Sequence, residues 1–315
     1  MENFHKYHKI KQLGDEENKD IFLVPTDQIA IEEKVDGANF RFIIKDVKII
    51  FGSRTQQLTS DEGEETNISK NFQRCVKHIL ETVWSNIDIT ESPLFKSLIF
   101  YGENMVKHTM NYDWEKMPPF LGFDIYNLKE EKYLTYNEVK ETYDKLGLDM
   151  VPIIKICNAS EITEVNDELV PTSIYAPISN PKQQAEGIVF KNYDKQIFAK
   201  YVRNEFKERN LETFGGNPKY NKEGEFDNDK ILFKYCTNAR IDKIIFKLID
   251  SGEEFHMKLM NQLPTTVYND IMEEEWREIT LKKNHYKIDF RKFNKQVTKR
   301  CLFVLQQTIT NNALQ

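Results

Sequence analysis

The hydrophobic pattern changes period twice along the chain. Between residues 29 and 52, "IAIEEKV", "NFRFIIKD" and "VKIIFG" are short β-branched and aromatic runs, the last returning after a polar turn at Lys45-Asp46. They predict β-strands. A polar loop, "SRTQQLTSDEGEETN", follows. The period then lengthens: Phe72, Val76, Ile79, Leu80 and Val83 share one face of a predicted helix. "SLIFYGEN" and "FLGFDIYNL" predict short buried strands, and Thr135 is placed to cap a helix, "YNEVKETYDKLG", that should stop at Gly147. "MVPIIKI" returns to strand texture, and "AEGIVFKNYDKQIFAKYV" reads as a hairpin turning at "NYDK".

The texture changes after Phe206, where "KERNLETFGGNPKYNKEGEFDNDK" is polar and rich in turn residues. Beyond it, Ile241, Ile244, Ile245, Leu248 and Ile249 sit at helical spacing, as do Val267 and Ile271, then Val297, Cys301, Val304 and Leu305. The pattern predicts an α+β domain over residues 1–210, a linker over 211–230 and an all-helical domain over 231–315.

Composition narrows the class. The 315 residues are 40% hydrophobic and 30% charged, globular values that allow a sizeable core. Apolar runs such as "FRFII" and "CLFVL" are too short to span a bilayer. "MENFHKYHKI" has no apolar h-region, so no secretory signal is expected. Cys75, Cys157, Cys236 and Cys301 are scattered without a C-x-x-C pair, which fits reduced thiols in a cytoplasmic compartment and argues against a zinc site or a disulfide frame. The net charge of −6 speaks against a general polyanion-binding surface, although local patches decide such contacts. One patch, "YKIDFRKFNKQVTKR", sets Lys287, Arg291, Lys292, Lys295, Lys299 and Arg300 against a lone Asp289; an ordinary solvated helix face explains it equally well.

The candidate chemistry begins at "KVDG". Lys34 ends one strand and Asp36 precedes the next. A nucleophilic lysine must be unprotonated although its ordinary pKa is about 10.4, and burial, neighbouring cations or a metal ion bring that about. Further along stand Arg54 in "FGSRT", Glu103 in "FYGEN", Phe123 beside Asp124 in "FLGFD", Glu186 and Lys191 in "AEGIVFK", and Lys200 and Arg203 in "FAKYVRNEFKE". Each alone reads as well as ordinary structure: a core aromatic, a paired charge, a solvated strand end.

Their order separates the readings. Lys-x-Asp-Gly, an arginine after a strand, Gly-Glu, an aromatic, Glu-Gly-x-Val-x-Lys and a final lysine together resemble the covalent nucleotidyltransferases, the DNA ligases, RNA ligases and mRNA capping enzymes, over about residues 34–206. Within them the chain looks most like the RNA ligase 2 family of phage nick-sealing and kinetoplastid editing ligases: "FHKYHKI" resembles their F-x-K-Y opening, and Asn39 in "KVDGANF" follows the glycine as theirs does. DNA ligases and capping enzymes carry a small β-barrel after the last lysine. Here "RIDK", at Arg240 to Lys243, comes too soon after Lys200 for barrel strands, and Asn238, Arg240 and Lys247 look more like the family's C-terminal helical motif.

The resemblance implies an adenylation domain of antiparallel sheets flanked by helices, followed by a helical RNA-binding domain. It implies that Lys34 attacks the α-phosphate of ATP and holds AMP, with Glu33 and Gly37 beside the nucleotide, Phe123 stacked on the adenine and Arg54 and Glu103 on the ribose. Lys191 and Lys200 would neutralise the α-phosphate, and Asp36, Asn39 and Glu186 would hold Mg²⁺ (or Mn²⁺) through its water shell. AMP would pass to an RNA 5′-phosphate and leave as a 3′-hydroxyl attacks. Arg240, Lys247 and Arg203 are the implied RNA contacts, with the 287–300 basic stretch a weaker candidate; Asp270 and Glu274, one helical turn apart, read as a solvated face. One departure stands out. Aligned on Phe206 and Glu208, the family's second lysine falls on Val202, and Arg203 would point to the opposite strand face unless a bulge re-aims it. The expected protein is a cytoplasmic, monomeric ATP-dependent RNA ligase. The alternatives are a DNA ligase, a GTP-dependent capping guanylyltransferase, or a catalytically silent RNA-binding relative.

Overall fold

The computed structural model describes residues 5–54, 56–59, 68, 70–106, 110–203, 227–280 and 287–313. Phe4 of the N-terminal motif, the Phe206 and Glu208 landmarks and most of the expected linker lie outside them. The chain divides into two compact units, Met1–Arg203 and Asn204–Gln315.

The first unit is α+β. Its strands are β1 (Lys11–Gln12), β2 (Gln28–Lys34), β3 (Ala38–Lys45), β4 (Lys48–Ser53), β5 (Leu98–Asn104), β6 (Phe120–Asn127), β7 (Lys132–Tyr133), β8 (Ile153–Asn158), β9 (Gly187–Asn192) and β10 (Ile197–Val202), with helices α1 (Lys70–Asn86) and α2 (Tyr136–Leu146). They form two five-stranded sheets, ordered β1-β10-β9-β2-β8 and β4-β3-β5-β6-β7. Pairing is antiparallel except where β1 runs parallel to β10.

Each sheet buries one face in its own core. Phe40, Phe42, Phe51, Phe100 and Phe120 of the β4-to-β7 sheet pack against Phe72, Val76 and Ile79 of α1 and Tyr143 of α2. The helix ends follow local chemistry: the Thr135 side chain and Glu138 form a reciprocal capping box, and Gly147 closes α2 at φ 70°, a left-handed conformation that glycine adopts without a Cβ clash. Ile29, Ile31, Ile188, Phe190 and Ala199 make the core of the β1-to-β8 sheet. Because successive side chains alternate across a strand, this leaves Glu32, Lys34, Lys191 and Lys200 on the first sheet's other face, and Asn39, Arg41, Tyr101 and Glu103 on that of the second.

The second unit is helical: α3 (Asn228–Tyr235), α4 (Asn238–Asp250), α5 (Leu263–Thr280) and α6 (Phe290–Ala313). Ile241, Ile245, Val267, Ile271, Val297 and Cys301 meet in its core, the positions whose helical spacing announced them. The Thr237 side chain caps α4 by accepting from the Arg240 backbone N–H.

Candidate active site

Register brings the distant segments of the sequence together. Lys34 at the end of β2 lies opposite Gly187 at the start of β9, and Gly187 lies opposite Val202 of β10. A Cβ on Gly187 would stand 2.0 Å from the Tyr201 carbonyl oxygen, so only glycine lets β9 and β10 close here. Glu186, immediately before, accepts a hydrogen bond from Lys34 Nζ on Oε2 at 2.7 Å; the lysine side chain keeps 17% exposure and the glutamate 4%. Lys200 lies on the same sheet face, opposite Val189, whose other neighbour is Glu32.

Beyond Lys34 the chain turns sharply into β3. Asp36 is buried; its backbone N–H donates to the Tyr112 hydroxyl at 2.8 Å, and its Oδ2 accepts from the Met110 N–H at 2.9 Å. Gly37 is needed because β3 starts against β5: a Cβ there would meet Glu103 Cβ at 2.9 Å. Asn39 pairs with Glu103 across β3 and β5, so both side chains leave the same face. Asn39 Oδ1 is buried and makes no hydrogen bond. Arg54 is half-buried just after the end of β4.

Lys191 occupies a different setting from the one expected of a phosphate-facing cation. It is 1% exposed. Its Nζ sits 2.6 Å from Glu32 Oε2 and 3.0 Å from Asp124 Oδ2, and donates to the Phe123 carbonyl at 2.8 Å. Asp124 also accepts from the Tyr7 hydroxyl at 2.6 Å and the Tyr193 hydroxyl at 2.8 Å. Lys191 therefore ties the two sheets together from inside. A β-bulge makes this possible: Tyr101 pairs with Asp124 and Gly102 with Gly122, leaving Phe123 as the extra residue. Phe123 is 8% exposed, its ring centroid lies 4.9 Å from that of Tyr7 in an edge-to-face arrangement, and it takes Lys191 Nζ at 5.3 Å from its centroid. Burial outweighs the Lys191 charge at Glu32 and pushes its carboxyl up to about 7.

Glu33 faces the opposite way, into the core side of the sheet. Its N–H donates to the Pro152 carbonyl, both carboxylate oxygens lack a hydrogen bond, and burial raises its pKa against weaker opposing effects of Ser173 and Ile174.

Two expected RNA contacts turn inward. Arg203 is 2% exposed: Nε donates to the Ala185 carbonyl at 2.7 Å, Nη1 to Gln184 Oε1 at 2.8 Å, and its backbone N–H to the Glu186 carbonyl at 3.1 Å. Placed past the end of β10, it fastens the segment that carries Glu186 and offers no guanidinium to a strand of RNA. Arg240 bridges helices: Nη2 meets Glu275 Oε1 at 2.6 Å, Nε meets Asp270 Oδ2 at 3.1 Å, and Nη1 donates to the Tyr235 carbonyl at 2.8 Å. Asp270 is thus an ion-pair partner, not part of a solvated face. Lys247 is exposed on α4.

Glu32, Tyr7 and Tyr193 were missed as site-forming residues. Glu32 had a signal: it stands two residues before Lys34 in an apolar strand, on the same face. The tyrosines had none, because their partner Asp124 is reached only through a bulge.

For a divalent cation, the carboxylates of Asp36 and Glu186 and the unpartnered Asn39 Oδ1 supply oxygen ligands, the type Mg²⁺ takes. No group of three or more acidic, histidine or cysteine side chains clusters at metal distance among the described residues. The described residues thus offer no all-protein cage, and a cation held through its water shell would ask for fewer direct ligands.

Two facing antiparallel sheets, with a lysine–glutamate pair at the strand ends and a buried ionic tie between them, define an α+β domain of the ligase type. A family model described as RNA ligase matches residues 27–207, and the chain belongs to that family. No curated protein sequence matches it. Among solved structures it is similar to the RNA ligase of Naegleria gruberi with PPi, at 20% identity and TM-score 0.49, covering 67% of this chain and 60% of that one. A mutant of the same protein with AMP and Mn gives 20% identity and TM-score 0.48, covering 66% and 59%. Another mutant, with ATP and Mn, gives 19% and 0.46, covering 66% and 59%. The chain thus spans about three-fifths of the length of these solved proteins.

Proposed function

We infer that the chain is an ATP-dependent RNA ligase that joins a 3′-hydroxyl to a 5′-phosphate through a lysyl-AMP intermediate. The observation that carries this is the Lys34–Glu186 pair within an RNA ligase family domain. An amine attacks through its lone pair, so Nζ gives up the proton it donates to Glu186 and bonds to the α-phosphorus; the bond to the bridging oxygen breaks, pyrophosphate leaves, and the nitrogen sheds a second proton to solvent to give the neutral phosphoramidate N–H. Lys200, on the same sheet face, is suited to meet charge gathering on the α-phosphate, where a fixed cation lowers the barrier most. Asn39, Glu103 and Arg54 are assigned to the nucleotide and its metal-bound water, and Phe123 to the base. A bound Mg²⁺ would supply charge neutralisation for the phosphates. AMP then passes to the RNA 5′-phosphate, and the 3′-hydroxyl displaces it.

Incubation with labelled ATP and Mg²⁺ followed by denaturing electrophoresis tests the reading. Label is expected on the wild type and not on Lys34→Ala; an unlabelled wild type favours the silent RNA-binding relative. GTP in place of ATP separates the capping reaction, and sealing assays on nicked, gapped and single-stranded RNA or DNA separate the substrates.

A further inference from the structure

The helical unit carries a surface that its own fold does not explain. α6 has five cations, Arg291, Lys292, Lys295, Lys299 and Arg300, and no acidic residue in 24 positions, within a chain of net charge −6. At about 100° per residue, Arg291, Lys292, Lys295 and Lys299 fall within an arc about 100° wide, and Leu302 and Phe303 continue the same stripe. The four cations are exposed, and none forms an ion pair among the described residues. Phe303 is 44% exposed, with the Arg300 guanidinium 5.9 Å from its ring centroid.

Elsewhere some surface lysines have carboxylate partners, Lys77 with Glu81, Lys140 with Asp144, Lys145 with Glu91 and Lys155 with Glu161, while others such as Lys48, Lys129 and Lys182 are exposed without an ion pair among the described residues but are not gathered on one helix face. On α6 the arrangement works against the helix. Arg291 and Lys295, then Lys295 and Lys299, are like charges one turn apart. Arg291 and Lys292 occupy the first turn, at the positive end of the helix dipole, where the Asp289 side chain accepts from the Lys292 N–H. A cationic stripe that weakens its own helix and has no ion-pair partner among the described residues is fitted to an anion from outside. An exposed phenyl ring at its end adds a second requirement, a flat apolar face on the same ligand, which nucleic acid meets and a carboxylate-rich peptide does not.

We propose that the outer face of α6 is a binding track for a single RNA strand, with Arg291, Lys292, Lys295 and Lys299 on its phosphates and Phe303 stacked on an unpaired base. From Arg291 to Phe303 the track is about 18 Å long at 1.5 Å per residue. The proposal rests on the ligase reading for its choice of RNA.

The test is fluorescence anisotropy with a labelled single-stranded RNA and the full chain, across a salt series. The triple variant Lys292→Glu/Lys295→Glu/Lys299→Glu is expected to bind at least ~10-fold more weakly, with a salt slope smaller by about 2, since each phosphate contact on a single strand contributes about 0.7. Phe303→Ala is expected to lose ~10-fold with the slope unchanged. The lysine-to-glutamine triple, which keeps good helix formers, and a melting curve for each variant guard against a folding defect. Undiminished binding by the folded triple variants overturns the proposal. So does displacement of the RNA by polyglutamate combined with no effect of Phe303→Ala, which would make the face a dock for an acidic protein. ATP labelling of the wild type is read separately. A labelled wild type with an unaffected triple variant sinks only this surface; an unlabelled wild type whose RNA binding the triple variant loses sinks only the ligase reading.

Discussion

Lys34 Nζ and Glu186 Oε2 stand 2.7 Å apart, brought together over 152 residues of chain by the pairing of β2 with β9. The contact needs a lysine at a strand end, a glycine with no side chain across from it, and a glutamate just outside the ladder. Glu186→Gln keeps an acceptor oxygen for Nζ but loses the charge that can take its proton or hold a cation. AMP labelling should fall about 100-fold or more in this variant, the usual scale for losing an acid–base group, with an unchanged melting temperature. Wild-type labelling by Glu186→Gln would mean that the pair is structural.

Arg203 is positioned to act through Glu186. Bonds from its side chain and backbone, to Gln184, Ala185 and Glu186, set where the carboxylate begins. Lysine can replace one of these bonds but not the planar fork. With Arg203→Lys the labelling rate at saturating ATP should drop about 10-fold, one decade for about 1.4 kcal/mol, while the ATP concentration for half-maximal rate stays put. A change confined to the half-maximal concentration would place Arg203 at the nucleotide instead, and an unchanged rate in a stable variant would remove it from the mechanism.

Much of this was legible in the sequence, for reasons that show where legibility ends. Phe72, Val76, Ile79 and Val83 announced α1, and Thr135 and Gly147 bounded α2, because periodicity and capping are local. The order of Lys34, Glu103, Glu186 and Lys200 was legible as a family resemblance, while the register that sets Lys34 opposite Gly187, next to Glu186, is a long-range pairing that no local pattern announces. Lys191 was assigned to the α-phosphate and Arg240 to RNA because a lone cation in a sequence gives no sign of its partners; Glu32, Asp124, Asp270 and Glu275 come from other elements. The bulge at Phe123 was also hidden, since nothing in "FLGFD" marks which residue leaves the ladder.

Glu32 gives the fold a signed pH dependence. Burial is the larger influence on its carboxyl, and it lifts the group to about 7 in the folded protein. An acid raised on folding binds its proton more tightly in the native state, so stability declines as pH rises from the unfolded value of about 4.3 through 7 and levels off above. Lys191 is raised as well, by Asp124 and Glu32 against the opposing effect of burial, so its contribution is present at neutral pH and lost only as pH rises through its own alkaline range. Glu32→Gln removes the first dependence and leaves Lys191 paired with Asp124. The melting temperature of Glu32→Gln minus that of the wild type should therefore grow between pH 5 and pH 8 (bounds set about those two pKa values). A difference that stays flat over that window would show that the Lys191 charge fully compensates the buried carboxylate.

Arg240 sets a choice between holding the helical unit together and touching RNA. Its guanidinium spans α4 and α5, with Glu275 and Asp270 as carboxylate partners and the Tyr235 carbonyl as a third acceptor. Those charges raise its pKa even though burial opposes them. Removing one partner of such a pair leaves the other carboxylate desolvated, a loss of about 3–5 kcal/mol, whereas removing both with apolar or neutral groups of similar size is far milder. Arg240→Met should lower the denaturation midpoint of the helical unit, followed by hydrogen exchange in α4 and α5. Adding Glu275→Gln to Arg240→Met should recover stability, with a coupling of about 1 kcal/mol or more in the double-mutant cycle. The RNA reading of this residue requires the reverse: full stability in Arg240→Met, no coupling to Glu275, and a selective loss of sealing.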